Sequence, residues 1–236
     1  MDRQIISQGI LLYKTGKYTE ALNFFQSLSS EYINDLDLTY FIGLCYMKLK
    51  HYEDALLYLE QIVTTIPEDE QQQDRVLQCR LLLAVIYAST GRSRLAEFEL
   101  RSLKETGYNP GSVYAAMAYI AWVQQDYNKC IELYEKVLDM EPENITALNG
   151  LGYVLACLNK DLTRALMLSK RALDISPNSP ACLDTLGWVY FKLGLLEESE
   201  NFLRKALEKD SSNEEIIEHL KMIQASRDES VSGGKK

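Results

Sequence analysis

The chain has two histidines, His51 and His219, and neither has a plausible nucleophile at local spacing. The acid pairs Glu141/Glu143 and Glu197/Glu198 fall near helix starts, where carboxylates suit the positive end of the helix dipole. No G-x-x-x-x-G-K-[ST] loop, G-x-G-x-x-G turn or H-E-x-x-H helix is written in the sequence, and Gly233-Gly234 is too short to cradle a phosphate. The five cysteines, Cys45, Cys79, Cys130, Cys157 and Cys182, lie far apart without C-x-x-C spacing. They read as buried thiols rather than as disulfides or metal ligands. With no catalytic constellation on view, the expectation is a protein that is not an enzyme and holds neither cofactor nor metal.

The elements that carry these residues are built from a chain of 236 residues, 47% hydrophobic and 25% charged, with five prolines. That is apolar enough for a continuous core and unlike a disordered chain. The net charge is −9, with no block of lysines and arginines. Phosphate backbones are held by clustered cations, so no nucleic-acid partner is expected, and an anionic lipid surface is disfavoured for the same reason. Met1-Asp2-Arg3-Gln4 leads straight into a helical pattern, with no apolar stretch ending in a cleavage site. The uncharged stretch from Thr106 to Gln125 is broken by Asn109-Pro110-Gly111 and leaves too short an apolar run to span a bilayer. A soluble, cytoplasmic protein without direct membrane insertion is expected.

A small residue inside an apolar helix recurs at Gly9, Gly43, Ala84, Ala118, Gly152 and Gly187, and a second series runs Ala21, Ala55, Ala96, Cys130, Ala165 and Ser199. The steps are 34 residues, save one of 41 between the second and third units and one of 35 around the fifth. Two antiparallel helices joined by a short turn approach closely only where side chains are small. Turn signals stand at the midpoints, at Thr15-Gly16-Lys17, Ser89-Thr90-Gly91-Arg92 and Leu193-Gly194-Leu195, and proline closes units at Pro67, Pro142 and Pro177.

These residues resemble the tetratricopeptide repeat, whose signature is W-x₂-L-G-x₂-Y, then A-x₃-F, then P, at a period of about 34. Unit six reads Leu183-x₂-Leu186-Gly187-x₂-Tyr190, unit two reads Ile42-Gly43-x₂-Tyr46 with Ala55 and Pro67, and unit five gives Leu151-Gly152, Ala165, Ala172 and Pro177. The resemblance covers residues 2–213 and implies an all-α, right-handed α-solenoid of about six helix-turn-helix units, at about 2–35, 36–69, 77–110, 111–144, 145–179 and 180–213. The excess of seven residues, placed in the Glu68–Arg75 stretch, either lengthens a loop or adds helix, and the extra residue near Asn159-Lys160-Asp161 lengthens a turn.

A solenoid must cover its last apolar face. Ser212-x-x-Glu215 reads as a capping box opening a capping helix over 214–226, with Ile216, Ile217, Leu220 and Ile223 on one stripe. Residues 227–236 read as a disordered tail. The first helix carries Ile5, Ile6, Ile10, Leu11, Leu12 and Tyr13 with no such cover. Either that surface joins a partner or a second copy in self-association, or its exposed part is small and tolerated.

In the family resembled, the first helix of each pair lines a concave face, and the positions three before, one after and four after the small residue face the groove. In this sequence they are Tyr40, Leu44 and Met47, then Leu81, Val85 and Ala88, then Ala115, Tyr119 and Trp122. Asn149, Tyr153 and Ala156 follow, then Asp184, Trp188 and Phe191. The channel is aromatic and aliphatic, with Asn149 and Asp184 as its polar handles. It lacks the Lys, Arg and Asn set of the family's carboxylate clamps. The resemblance therefore implies an adaptor or scaffold that takes an amphipathic helix or a bulky extended segment of another protein. The alternatives are a chaperone shielding an apolar client segment and an accessory subunit of an enzyme complex. Some groove positions also read as core, and the channel could instead be filled by the chain's own tail or by a second protomer.

Overall fold

In the computed structural model the described backbone comprises residues 3–28 and 35–233, with side chains described from Ile6 to Leu28 and from Asp35 to Asp228. Among them the chain forms thirteen helices and no strand. The pairs run α1 (Arg3–Lys14) with α2 (Tyr18–Leu28), α3 (Leu36–Lys48) with α4 (Tyr52–Val63), and α5 (Glu70–Ser89) with α6 (Ser93–Thr106). α7 (Pro110–Val123) and α8 (Tyr127–Met140) follow in sequence, and two further pairs are α9 (Ile145–Cys157) with α10 (Leu162–Ile175) and α11 (Pro180–Lys192) with α12 (Leu196–Lys209). A last helix, α13 (Glu214–Gly233), has no partner of its own.

The small residues do what close packing asks of them. A Cβ on Gly187 would lie 2.7 Å from Leu203 Cγ and 3.2 Å from the Ser199 carbonyl oxygen, so α11 and α12 could not approach as they do. The two series also touch directly: Ser199 Oγ donates to the Gly187 carbonyl at 2.7 Å, in the buried seam. Gly43 meets Leu59 at 2.9 Å by the same measure, and Gly152 meets Ser169 Oγ at 2.5 Å.

Where each first helix turns into its second, one residue takes the left-handed conformation: Gly16, Lys50, Gly91, Gln125, Asn159 and Gly194. Glycine adopts it freely, and the other three positions carry side chains that enter it at a cost. The single extra residue of unit five is absorbed here, because Asp161 also has positive φ (38°) yet still caps α10 through Arg164 N–H.

The seven-residue excess extends a helix rather than a loop. α5 runs 20 residues, and Asp69 caps its start by accepting from Gln72 N–H. The capping helix also differs from the sequence reading. Asn213, not Ser212, accepts from the first free amides, at 3.1 Å from Glu215 N and 3.5 Å from Ile216 N, while Ser212 turns to Asp210. The helix then runs past residue 226 to Gly233, where a disordered tail was expected. Arg227 explains part of this, since it pairs with Glu200 of α12 one turn from Ile223. Residues 234–236 of the expected tail lie outside the described residues.

The helices gather into two compact units, Met1–Val123 and Gln124–Lys236. In the first, Phe25, Leu38 and Ile42 form one core, and Leu59, Ile62, Leu83, Ile86 and Leu103 form a second. In the second, Leu183, Leu203, Ala206, Ile216 and Ile223 join α11, α12 and α13. The division falls inside the fourth expected pair, between α7 and α8, although the 34-residue period crosses it unbroken. At the start, Ile6 is buried and Ile10, Leu12 and Tyr13 are half-buried, so among the described side chains of that expected surface Leu11 is the exposed one; the side chain of Ile5 lies outside them. No helix among the described residues is long and apolar enough to cross a membrane.

Candidate functional site

Within the first unit α3, α5 and α7 lie side by side, and these first-of-pair helices carry the expected binding positions. On α3, Leu44 is buried, so its side chain belongs to the packing rather than to a surface. Met47 is half-buried against the second core. Tyr40 is half-buried because Arg75, from the extended start of α5, lies over it with the guanidinium carbon 4.0 Å from the ring centroid. Arg75 Nη2 donates to Asp37 Oδ1 at 2.7 Å, which fixes the guanidinium over the ring. Burial raises the Tyr40 phenol above its ordinary value, and the arginine opposes that shift. Leu81 and Val85 of α5 are half-buried and Ala88 is buried.

α7 is apolar on every side, which in a helix means burial or partnership. Val113, Ala116, Ala118 and Ile120 are buried, and so is Ala115, while Tyr119 and Trp122 are half-buried. The Tyr119 hydroxyl lies 3.1 Å from Ser89 Oγ at the end of α5, which holds the ring at the end of that helix pair.

Within the second unit α9 packs beside α11, and α13 packs on α11 and α12. Asn149 is half-buried, and its side-chain oxygen is buried without an acceptor bond among the described residues. Ala156 is buried and Phe191 half-buried. Asp184 and Trp188, expected on an open face, are only 6% and 7% exposed, because α13 covers them. The cover is specific. His219 stacks on Trp188 with centroids 4.1 Å apart and rings 17° from parallel. Its Nδ1 lies 2.9 Å from Asp184 Oδ1. One turn earlier on α13, Glu215 Oε1 accepts from the Tyr153 hydroxyl at 2.6 Å.

The electrostatics follow from this cover. Burial pushes the Asp184 carboxyl above the ordinary aspartate value, and the bond to His219 pulls the other way. The Tyr153 phenol is raised by burial and further by Glu215, which favours the proton staying on the hydroxyl. Beside them burial raises the Cys157 thiol, opposed by the neighbouring polar groups of Trp188 and Tyr153 and by the charge of Lys192.

The structure thus brings Tyr153, Asp184 and Trp188 together and leaves Met47, Tyr119, Trp122 and Phe191 partly open. Sequence reading missed the covering residues, Arg75, Glu215 and His219. One signal was available for the last: His219 sits three residues after Ile216 and four before Ile223, on the inward stripe of α13. The cysteines are free thiols, four buried and Cys157 half-buried. Among the described residues no group of three or more His, Cys, Asp and Glu side chains is placed to hold a metal.

Residues 5–62 and 123–206 match the family described as anaphase-promoting complex, cyclosome, subunit 3. A stretch of 58 residues is 41% identical to intraflagellar transport protein 70A of Danio rerio; it is 25% of this chain and spans 9% of that protein's length. In three dimensions the chain is similar to a tetratricopeptide repeat protein from Parabacteroides merdae, with a TM-score of 0.72 at 16% identity over 93% of this chain and 83% of that one. It is similar also to yeast Tom70, with a TM-score of 0.62 at 16% identity over 90% of this chain and 44% of that one. The hetero-tetramer Cut9–Hcn1 of the APC/C gives 0.60 at 14% identity over 92% and 42%.

Proposed function

This chain belongs to the family described as anaphase-promoting complex, cyclosome, subunit 3, a tetratricopeptide-repeat family, and from that premise we propose that it is a non-catalytic adaptor holding a helical or extended segment of another protein. The observation that carries the reading is the state of α7. Its small side chains are spent on packing, while Tyr119 and Trp122 keep part of their ring surface in reach of solvent. Large, rigid aromatic side chains in such positions lose little entropy on binding and serve as anchors. Met47 of α3, in the same unit, adds a further half-buried apolar side chain of the same kind. The ligand is a segment with bulky apolar side chains, bound on the first-of-pair helices.

The names of the relatives support a lasting complex more than transient shielding of a client. The family takes its description from a subunit of an assembly, and Cut9 was solved with Hcn1 as a hetero-tetramer. A stoichiometric partner is therefore expected, within a soluble assembly of the cytoplasm.

The test compares wild type with Tyr119→Glu/Trp122→Glu, each first checked for equal helicity by circular dichroism. Wild type is expected to co-elute with a partner at fixed stoichiometry on size exclusion after purification from its own cells, and the double variant to lose it. A partner that co-elutes equally with both proteins would move recognition off α7 and overturn this reading of the site.

A further inference from the structure

Among the described groove positions, Asp184 and Trp188 stand apart in being both polar or aromatic and fully covered. Tyr119, at the position equivalent to Trp188 one unit earlier than Tyr153, is half-buried, and so is Tyr153 itself. The difference comes from α13, which is the last described helix and has no second helix behind it. Its outer side carries Glu214, Glu218 and Lys221, all exposed, so it is held from one side only.

The inner side of α13 joins an apolar seam against α12 to a polar attachment on the α9–α11 face. Ile216 and Ile223 are buried, and Leu220 is half-buried. Between them the attachment is polar and planar: the His219–Asp184 bond, the His219–Trp188 stack and the Glu215–Tyr153 bond. A buried polar pair adds little net adhesion compared with a packed apolar pair, because each group gives up its water to form it, yet it fixes register. On release, both Asp184 and His219 regain hydration, which makes detachment less costly than for an apolar seam. A helix meant only to close the array would be served better by leucine at both places.

Resting on the adaptor reading above, we propose that α13 is a displaceable intramolecular ligand: it covers the α9–α11 face until a partner helix of the same pattern takes its place. That pattern is a carboxylate that accepts from Tyr153, then, four residues on, a planar ring with an N–H that stacks on Trp188 and bonds Asp184. Aliphatic side chains follow the carboxylate by one and by eight residues, as Ile216 and Ile223 follow Glu215. The partner is therefore an amphipathic helix with an acidic first turn, and α13 sets the threshold it must exceed. An attached ligand competes at the high effective concentration its linkage gives it.

The probe is a fluorescein-labelled synthetic peptide of residues 211–230 of this chain, titrated into the full-length protein. The wild-type protein is expected to bind it weakly. The full-length variant Glu215→Ala/His219→Ala, whose own α13 is loosened, should bind it at least about tenfold more tightly, as release of a competing state predicts. A peptide bearing the same two substitutions should bind neither protein. Equal binding to wild type and variant, or none to the variant, overturns the proposal. Hydrogen exchange on the wild-type protein guards against a variant that merely misfolds. The amides of Ile216 to Ile223 should exchange well before those of α11 and α12, and exchange together with them overturns displaceability. Neither readout uses the cellular partner. Peptide binding with no partner on α7 would retain the lid and reject the adaptor, and the reverse result would leave the adaptor with a fixed cap.

Discussion

The two compact units each cover an aromatic ring on a first-of-pair helix, and they do it with different parts of the chain. In the first unit Arg75 lies over Tyr40 from the start of α5, a helix whose later turns carry Leu83, Ala84 and Ile86 in the core. The backbone that carries this cover is fixed by the core packing of a central helix. In the second unit His219 lies over Trp188 from α13, which is capped by Asn213, tied to α12 through Arg227 and Glu200, and buried at Ile216, His219 and Ile223. The same device, a cation or a ring stacked on an aromatic face, is thus carried by a central helix in one unit and, on the proposal above, by a displaceable one in the other. What decides it is how much core the covering helix also carries.

Substitutions sharpen this contrast, and the largest effect is expected where backbone meets backbone. Gly187→Leu places side chain against Leu203 and the Ser199 carbonyl, and should cost about 3 kcal/mol or more by overpacking, read from urea or thermal unfolding. A melting curve equal to wild type would show that α11 and α12 are not packed as described. His219→Ala comes next. It leaves Asp184 without its partner and removes the stack, costing about 2 kcal/mol of α13 docking, read as faster amide exchange confined to α13. Acceleration spread equally through α11 and α12 would erase the contrast between the two covers.

Arg75→Ala should be milder, about 1 kcal/mol, because its pair with Asp37 is partly exposed and its ring contact is modest. Faster exchange is expected at the start of α5 and on α3, with α9 to α13 unchanged. The smallest effect is in thiol chemistry. Burial pushes the thiols of Cys45, Cys79 and Cys130 up to about 12, so the reactive thiolate is scarce at pH 8 and becomes available only as pH rises toward that value. Iodoacetamide at pH 8 should label Cys157 first, and faster still in His219→Ala, since Cys157 lies beside Trp188 and Tyr153. Labelling of Cys79 ahead of Cys157 would contradict the burial described for both.

Most of the fold was legible because close packing leaves a mark at the level of residue type. Gly43, Gly152 and Gly187 must be small, and the spacing between them follows from helix length plus turn length. The covers were not legible, for the opposite reason. Arg75 and Glu215 are charged residues on helices, and a one-dimensional pattern assigns such residues to solvent. Only the packing of α5 on α3 lays Arg75 over Tyr40, and only the packing of α13 on α11 brings Glu215 to Tyr153. Ser212 misled because a capping box is a local pattern, and Asn213, one residue on, satisfies the same amides with the chain entering at a different angle. The division after Val123 left no sign at all, since the repeat period continues through it.

The long α5 has one more consequence, which concerns angular phase. Relative to α3, its added segment is Glu70 to Val76, and seven residues come within about 20° of two complete helical turns. The insertion therefore lengthens the helix while leaving Cys79, Leu83 and Ile86 pointing at the same neighbours. The added turns grow outward from the packed part of α5, so they supply a covering side chain, Arg75 over Tyr40, without disturbing the core behind it.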